Sequence, residues 1–251
     1  MDQPFIKGLD LSERFYQEAV RPILDEHFPR LPYSAVRLGP GSDVLGFDTP
    51  MSRDHDWGPK LSLFLSPDDH DRYRDRVDRM LSEKLPREVH GYPTRFGHHD
   101  DGTMFMGGDD EPVRHQVHIR TVRGFFERYL NYDPIREPTV VAWLTFPQQR
   151  LRTIAGGRVF HDGLDRLHSI RERLRWYPHD IWLHLMAAQW RRIDQEGPFI
   201  GRSGDVGDEL GSRLIAARLV GDVMRLCFLI VRQYAPYSKW FGTALGRLSC
   251  A

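Results

Sequence analysis

The chain has 251 residues, of which 40% are hydrophobic and 28% charged, so it can form one large domain or two smaller ones and is not a disordered chain. Its 35 basic and 35 acidic residues balance, and this neutral charge by itself indicates no polyanionic partner. No apolar run is long enough to span a membrane, the N-terminus lacks a signal-peptide pattern, and two cysteines are too few for a disulfide framework. These features predict a cytoplasmic protein without a membrane partner.

Charge is distributed unevenly along the chain. Residues 1–149 carry 19 basic and 25 acidic side chains, a net charge of −6, whereas residues 150–251 carry 16 and 10, a net charge of +6. An acidic part opposite a basic part suits a cleft in which metal ions neutralise one wall and anionic phosphates meet the other. Opposite charges that merely help two domains to pack explain the pattern equally well.

The first half of the chain has the pattern of alternating helices and strands. Asp10 and Glu13 have the spacing of a capping box, which predicts a helix over 11–28 that Pro22 kinks or breaks. Helices are also predicted to begin at Ser66 and Thr121, because each residue is a favoured N-cap. Strands are predicted at residues 33–38, 61–65 and 113–119.

The character of the chain changes after Pro138. Apolar residues recur there at helical spacing. Helices are predicted at residues 139–146, 147–154, 162–176, from Pro178 onward, 205–234 and 237–248. The sequence therefore predicts an α+β fold, with an α/β domain containing a small mixed sheet at residues 1–137 and an all-α helical domain at residues 138–251.

The stretch from Gly41 to Trp57 contains the residue pattern most typical of a reactive site. It begins with a Gly41-Ser42 turn and includes Asp54 and Asp56, two residues apart before the strand at 61–65. On an extended strand, residues two apart point to the same face, so the two carboxylates would lie side by side. Two hard oxygen ligands held that close suit Mg²⁺, which keeps several waters and completes its shell with substrate phosphates. Acidic turn residues are also common, and an incidental acidic turn is the alternative.

This arrangement resembles that of the polymerase-β-like nucleotidyltransferases, in which a Gly-Ser turn follows one strand and an Asp-x-Asp pair opens the next. The resemblance implies that Gly41 and Ser42 hold the triphosphate of a nucleoside triphosphate (NTP) and that Asp54 and Asp56 bind Mg²⁺. The chemistry of the residues agrees, because glycine permits close backbone approach and a turn of N–H groups forms an anion-binding concavity.

Six motifs, two of which overlap the stretch from Gly41 to Trp57, resemble the bacterial family known as domain of unknown function 4037. They run from residue 41 to residue 242 and so cover nearly the whole chain. The motifs are Gly41-Ser42-Asp43-Val44-Leu45-Gly46-Phe47-Asp48, Asp54-His55-Asp56-Trp57-Gly58-Pro59, Phe96-Gly97-His98-His99, Tyr177-Pro178-His179-Asp180-Ile181-Trp182, Gly207-Asp208-Glu209-Leu210-Gly211-Ser212 and Tyr234-Ala235-Pro236-Tyr237-Ser238-Lys239-Trp240-Phe241-Gly242. The resemblance implies a nucleotidyltransferase-like N-terminal domain and a helical C-terminal domain, and it supplies no substrate.

The sequence departs from the superfamily at one place. Superfamily members commonly carry a third carboxylate on a later strand of the same sheet, where it binds metal or accepts the proton of the attacking hydroxyl. The matching strand is predicted at 113–119 and has His118 but no acid. His118 is a candidate base because the unperturbed pKa of histidine is near neutrality, and a surface histidine is the alternative. Asp208 or Glu209 in the helical half could instead supply the missing acid.

Two residues of the helical half are candidates for nucleotide binding. Tyr237 offers a ring for a nucleobase and Lys239 offers a charge for a phosphate. The alternative for Tyr237, as for Trp240 and Phe241, is a place in the core.

The sequence supports two hypotheses of function. The first is a Mg²⁺-dependent nucleotidyltransferase that moves a nucleoside monophosphate from an NTP to a hydroxyl of a small molecule, with Asp54, Asp56 and His118 as catalytic residues. The lack of a long basic stripe makes nucleic acid an unfavoured acceptor. The second hypothesis is a non-catalytic nucleotide-sensing or antitoxin-like binding protein with a degenerate site, which the absent third acid motivates.

Overall fold

The computed structural model describes residues 4–98, 100, 102–107 and 114–249. The chain divides into two compact units, which we call unit 1 (Met1–Glu137 with Thr153–Arg173) and unit 2 (Pro138–Arg152 with Leu174–Ala251). A mixed sheet lies in unit 1, and unit 2 is built from helices, so the predicted α+β class is confirmed. Within the described ranges, none of the helices has the length and apolar character needed to cross a membrane.

The N-terminal helical segment is interrupted as Pro22 predicts. Helix α1 (Gly8–Phe15) leads into a π-helical turn (Tyr16–Val20), and helix α2 (Arg21–His27) follows with the proline in its first turn. Proline has no N–H to donate and its ring clashes with the carbonyl four residues earlier, so the wider turn before it relieves both problems.

The predicted capping box at Asp10 and Glu13 is wrong. Helix α1 begins at Gly8 with Lys7 as its N-cap, so Asp10 lies inside the first turn. Both acids instead accept hydrogen bonds from Nη1 of Arg158, at 2.9 Å to Asp10 Oδ1 and 2.5 Å to Glu13 Oε2. The two carboxylates therefore bind a strand that lies far away in the sequence.

Short strands make up the β structure of unit 1. They are β1 (Tyr33–Arg37), β2 (Leu61–Leu65), β3 (Glu88–Val89), β4 (Tyr92–Pro93), β5 (Phe96–His98), β6 (Met104–Met106), β7 (Val117–Thr121) and β8 (Arg158–Asp162). The main sheet has the order β7-β2-β1-β8, in which β1 is antiparallel to β2 and β8 while β2 is parallel to β7. Strands β3–β4 and β5–β6 form two small hairpins. The strand predicted at 113–119 begins at Val117, and Val113 lies outside the described residues.

Strand β8 corrects the prediction that everything after residue 138 is helical. It pairs antiparallel with β1, with Val36 opposite Val159 and Ser34 opposite Asp162. The helix predicted at 162–176 is accordingly shorter and forms α7 (Leu167–Arg173). Residues 153–173 therefore belong to unit 1, although the sequence places them beyond a single boundary at 137/138.

The core of unit 1 lies between one face of the sheet and the helices. Every residue of β1 and β2 is buried, and on the face that carries this core Ala35, Leu61 and Leu63 are at most 1% exposed. They pack against Phe15 of α1 and against helix α3 (Pro67–Lys84). This packing fixes the strands that carry the candidate site.

Two N-caps are confirmed as predicted. Ser66 Oγ accepts a hydrogen bond from Asp69 N at 3.1 Å at the start of α3. Thr121 Oγ1 accepts one from Gly124 N at 3.0 Å at the start of helix α4 (Val122–Leu130). Each side chain satisfies a backbone N–H that the helix cannot satisfy itself.

The other helices are close to those predicted. They are α5 (Val140–Thr145), α6 (Gln148–Gly156), α8 (His179–Asp205), α9 (Glu209–Ile230) and α10 (Ser238–Leu245). Helices α8 and α9 are the long elements of unit 2, and Trp182 Nε1 of α8 donates to the Leu229 carbonyl of α9 at 2.8 Å.

Candidate functional site

The Gly41-Ser42 turn follows β1 directly and is fixed by a buried ion pair. Arg37 Nε donates to Asp43 Oδ2 at 2.7 Å, and Arg37 Nη2 donates to Asp43 Oδ1 at 2.9 Å. Gly41 has φ +148°, and a Cβ there would lie 2.0 Å from Asp43 Oδ1. Only glycine fits this position, because both the backbone conformation and the space exclude a side chain.

The Arg37–Asp43 pair holds Asp43 ionised. Burial alone would raise the pKa of this carboxyl, but the charge of Arg37, and next that of Lys60, lowers the pKa below its ordinary value. The sequence analysis did not identify Arg37 or Asp43 as site residues. An arginine at the end of a strand followed six residues later by an acid is the only sequence signal for the pair.

A second buried carboxylate anchors the rest of the loop. Asp48 Oδ2 accepts hydrogen bonds from Gly8 N at 2.7 Å and from Trp57 Nε1 at 3.2 Å. The Trp57 ring stacks on Phe5 at a centroid distance of 5.3 Å and contacts Tyr92 edge-on at 5.5 Å. The loop between β1 and β2 is therefore attached to the N-terminal segment and to the β3–β4 hairpin.

Asp54 and Asp56 are exposed, and the expected extended conformation at this place is wrong. Asp54 ends a 3₁₀ turn (Pro50–Asp54), Asp56 has a left-handed φ of +50°, and β2 begins only at Leu61. Asp54 Oδ1 accepts from His55 N at 3.0 Å. The backbone N–H of Asp56 donates to the Met104 carbonyl of β6 at 2.8 Å, and this bond positions Asp56.

Lys60 is a residue of this site that the sequence analysis missed. Its Nζ donates a hydrogen bond to the Asp56 carbonyl. Burial, and next the charge of Arg37, lower the pKa of Lys60 to about 8, although Asp43 and Asp56 oppose the shift. At neutral pH the ammonium group is still mostly charged, so it adds a cation beside Asp56.

His118 lies on β7, opposite Ser62 of β2 in the parallel register. Burial is the largest cause that lowers the pKa of His118 to about 4, and the charge of Arg120 is the next. The imidazole is therefore neutral at pH 7 and is a weak base, since a general base works best with a pKa near the operating pH. No acid occurs on β7, whose sequence is Val-His-Ile-Arg-Thr.

The lowered pKa of His118 predicts a pH-dependent stability. Between pH 4 and about 6.5 the unfolded chain binds more protons than the folded one, so the free energy of unfolding falls as the pH falls. We expect the free energy of unfolding of His118→Gln to fall less than that of wild type as the pH falls over this range. The slopes of the free energy of unfolding against pH should differ by up to about 1.4 kcal/mol per pH unit. Urea unfolding at several pH values measures it. The exposed His184→Gln is the control, and parallel profiles for wild type and His118→Gln would contradict the prediction.

The candidates in unit 2 have local contacts of their own. Tyr237 is the N-cap residue of α10, and its hydroxyl accepts a hydrogen bond from Trp240 Nε1 at 2.9 Å. It is 38% exposed, which argues against a core position. Lys239 is exposed, with Nζ 5.1 Å from the centroid of the Trp240 ring. Asp208 caps α9 by accepting from Gly211 N at 2.8 Å, and Glu209 pairs with Arg213.

Within the part of the chain that the structure describes, no group of three or more His, Cys, Asp or Glu side chains has the arrangement of a metal site.

Residues 143–241 match the family described as Domain of unknown function (DUF4037). The predicted family resemblance is confirmed. The match includes Tyr237 and Lys239, whereas the loop from Gly41 to Trp57 lies outside it. The family's description names no activity.

A solved structure is also similar to this chain. It is the crystal structure of a nucleotidyltransferase-like protein from Exiguobacterium sibiricum 255-15, with 12% sequence identity and a TM-score of 0.34. The similarity covers 92% of this chain and 63% of that one, so the chain spans less than two thirds of the length of that protein. The comparison with curated proteins found no match.

Proposed function

We propose that the chain is a nucleotidyltransferase that moves a nucleoside monophosphate from an NTP to a hydroxyl of a small molecule. The observation that carries the proposal is the loop between β1 and β2. Its turn is fixed from inside by the Arg37–Asp43 pair, the carboxylates of Asp54 and Asp56 are exposed, and Lys60 donates to the Asp56 carbonyl. A fixed glycine turn and two exposed acids within one loop suit an NTP together with its metal ion.

The donor set fits Mg²⁺. Asp54 and Asp56 offer hard carboxylate oxygens that are open to water, and Mg²⁺ retains several waters when it binds to proteins. When bound, the ion would polarise the phosphoryl oxygens and neutralise their charge. Ser42 is only partly buried and is therefore available to donate its hydroxyl to a phosphate.

The proposed transfer conserves atoms and charge. The acceptor oxygen forms a bond to the α-phosphorus, the bond from that phosphorus to the pyrophosphate breaks, and the hydroxyl proton passes to His118 or to water. Lys60 and the turn at Gly41 and Ser42 are proposed to hold the triphosphate. Charge stabilisation and positioning provide most of the catalysis in such a reaction.

A second function is favoured by β7. The strand lies next to β2, as expected for the strand that carries a third carboxylate, but it has no acid, and the pKa of His118 is about 4. A chain that binds a nucleotide without turning it over would have these features, and we keep nucleotide sensing as the alternative.

Thermal unfolding with each NTP, with and without Mg²⁺, tests the binding. We expect one NTP to raise the melting temperature by a few degrees only when Mg²⁺ is present, because ligand at about 100 times its Kd stabilises by about 2.7 kcal/mol. Asp54→Asn should abolish the shift, and Asp25→Asn, which changes an equally exposed acid of α2, should retain it. No shift with any NTP would refute both functions.

Transfer of label separates the two functions. An NTP labelled at the α-phosphate, incubated with a pool of small metabolites, should yield a labelled product and pyrophosphate if the chain is an enzyme. Mg²⁺-dependent binding without labelled product would favour the sensor.

A further inference from the structure

A polar cleft lies along β7, on the side of the strand that pairs with no other strand among the described residues. It encloses about 470 Å³ between α3 and α4, a volume typical of sites for small molecules. Its charged lining consists of three arginines, three histidines and one acid: Arg74, Arg120, Arg128, His70, His115, His118 and Asp78. We call this feature the β7 cleft.

Three of the six basic side chains of the β7 cleft have a carboxylate nearby, namely Arg74, His70 and His115. Arg74 lies 4.0 Å from Asp75, and His70 lies 3.5 Å from Asp71. His115 Nε2 donates to the Asp78 carbonyl at 3.2 Å and lies 3.6 Å from Asp78 Oδ1, and the His115 side chain is 4% exposed. These groups are accounted for by contacts within unit 1.

Arg120 and Arg128 are different. In the ranges that the structure describes, neither guanidinium has a carboxylate within ion-pair distance. Arg120 is half-buried, and burial lowers its pKa, with the charge of Arg128 as the second cause. Two cations that repel each other in a partly desolvated cleft are unfavourable until an anion joins them.

We infer that the β7 cleft binds a small ligand through a phosphate or pyrophosphate group held by Arg120 and Arg128. Guanidinium groups bind phosphate oxygens in pairs of parallel hydrogen bonds, and an anion between them would compensate both charges. The cleft is a single local cavity and not an extended basic stripe, which favours a small ligand over a nucleic acid. The inference does not depend on Asp54, Asp56 or Mg²⁺, so it goes beyond the proposed function.

Isothermal titration of the full chain with pyrophosphate, and separately with inorganic phosphate, tests the inference. EDTA in the buffer removes any contribution of Mg²⁺ at Asp54 and Asp56. We expect Arg120→Gln and Arg128→Gln each to weaken binding by about tenfold or more, as the loss of a charged hydrogen bond predicts. Arg128 is exposed, so its replacement leaves the fold intact. Arg30→Gln, an exposed arginine of the same unit, should bind as wild type does.

Thermal unfolding provides a second readout. Without ligand, Arg120→Gln should be as stable as wild type or more stable, since the repulsion with Arg128 is gone. With pyrophosphate, only wild type and the Arg30→Gln control should gain stability.

Several outcomes would overturn the inference. One is that wild type binds neither pyrophosphate nor phosphate, and another is that all four proteins bind them equally. A third is that single-stranded RNA binds and pyrophosphate does not compete with it, which would assign the cleft to nucleic acid. Binding that disappears in EDTA and in Asp54→Asn would assign the anion to the loop after β1 instead.

Discussion

Asp43→Asn is expected to lower the free energy of unfolding of unit 1 by about 3–5 kcal/mol, the usual cost of removing one partner of a buried ion pair. The Arg37 and Asp43 side chains are 6% and 2% exposed and share two hydrogen bonds. An amide in place of the carboxylate turns N–H donors toward a guanidinium that is itself only a donor. Arg37 is then a buried charge without a counter-ion, although its bonds to the Leu38 and Pro40 carbonyls remain.

A matched variant isolates the effect of burial. Arg21 and Asp25 also form an ion pair, at 3.5 Å, but their side chains are 58% and 63% exposed. We expect Asp25→Asn to change stability by less than about 1 kcal/mol, because exposed pairs contribute little. Urea unfolding followed by circular dichroism, with hydrogen exchange of peptides from unit 1, measures both variants. Equal losses for Asp43→Asn and Asp25→Asn would show that the buried pair does not fix the turn.

The difference in the free energy of unfolding between wild type and Asp43→Asn also depends on pH. Because the folded pKa of Asp43 lies below its unfolded value, its contribution is present above the unfolded pKa and is lost as the pH falls through the folded one. The two proteins should therefore approach each other in stability at low pH.

The second large effect is expected in unit 2, at Asp222 of α9. This residue is fully buried, and its carboxylate accepts from Arg192 Nε at 2.9 Å and from Arg225 Nη1 at 3.0 Å. Asp222→Asn should reduce the stability of unit 2 by about 2–3 kcal/mol, because two charged hydrogen bonds weaken inside the α8–α9 contact. The value is below that for Asp43 because both arginine side chains are about half exposed and regain water.

Glu209→Gln is the control for Asp222→Asn. Glu209 pairs with Arg213 near the start of the same helix, and the two side chains are 73% and 81% exposed. Because exposed pairs contribute little, Glu209→Gln should lower the free energy of unfolding by less than about 1 kcal/mol. Tryptophan fluorescence during urea unfolding reports mainly on unit 2, which contains every tryptophan of the chain except Trp57. A loss for Asp222→Asn no greater than that for Glu209→Gln would contradict the role of Asp222 in joining α8 to α9.

The sequence predicted the elements whose signals are local. Ser66 and Thr121 begin helices as expected, since an N-cap acts within three residues of itself. Strands β1 and β2 were predicted from β-forming residues and alternation, and Pro22 marks the irregular turn. Each of these features depends only on residues a few positions away in the chain, so the sequence is sufficient to predict it.

The tertiary structure decided the features that depend on distant partners. Strand β8 has a weak local signal, and its place in the sheet comes from the edge of β1, more than 100 residues earlier. The conformation around Asp54 and Asp56 comes from the bond of Asp56 to Met104 and from the attachment of Asp48 to Gly8. An extended strand was expected because no local residue indicates these bonds.

Some properties of the candidate site follow from the sequence, and others arise only from the tertiary structure. The residue types at Gly41, Ser42, Asp54 and Asp56 follow from the sequence alone, because their chemistry and spacing are local. The sequence did not reveal the ion pair that fixes Gly41, the position of Lys60 beside Asp56, or the unpaired charge of Arg120 within the described chain. Burial and long-range contacts create these properties, and both exist only once the chain has folded.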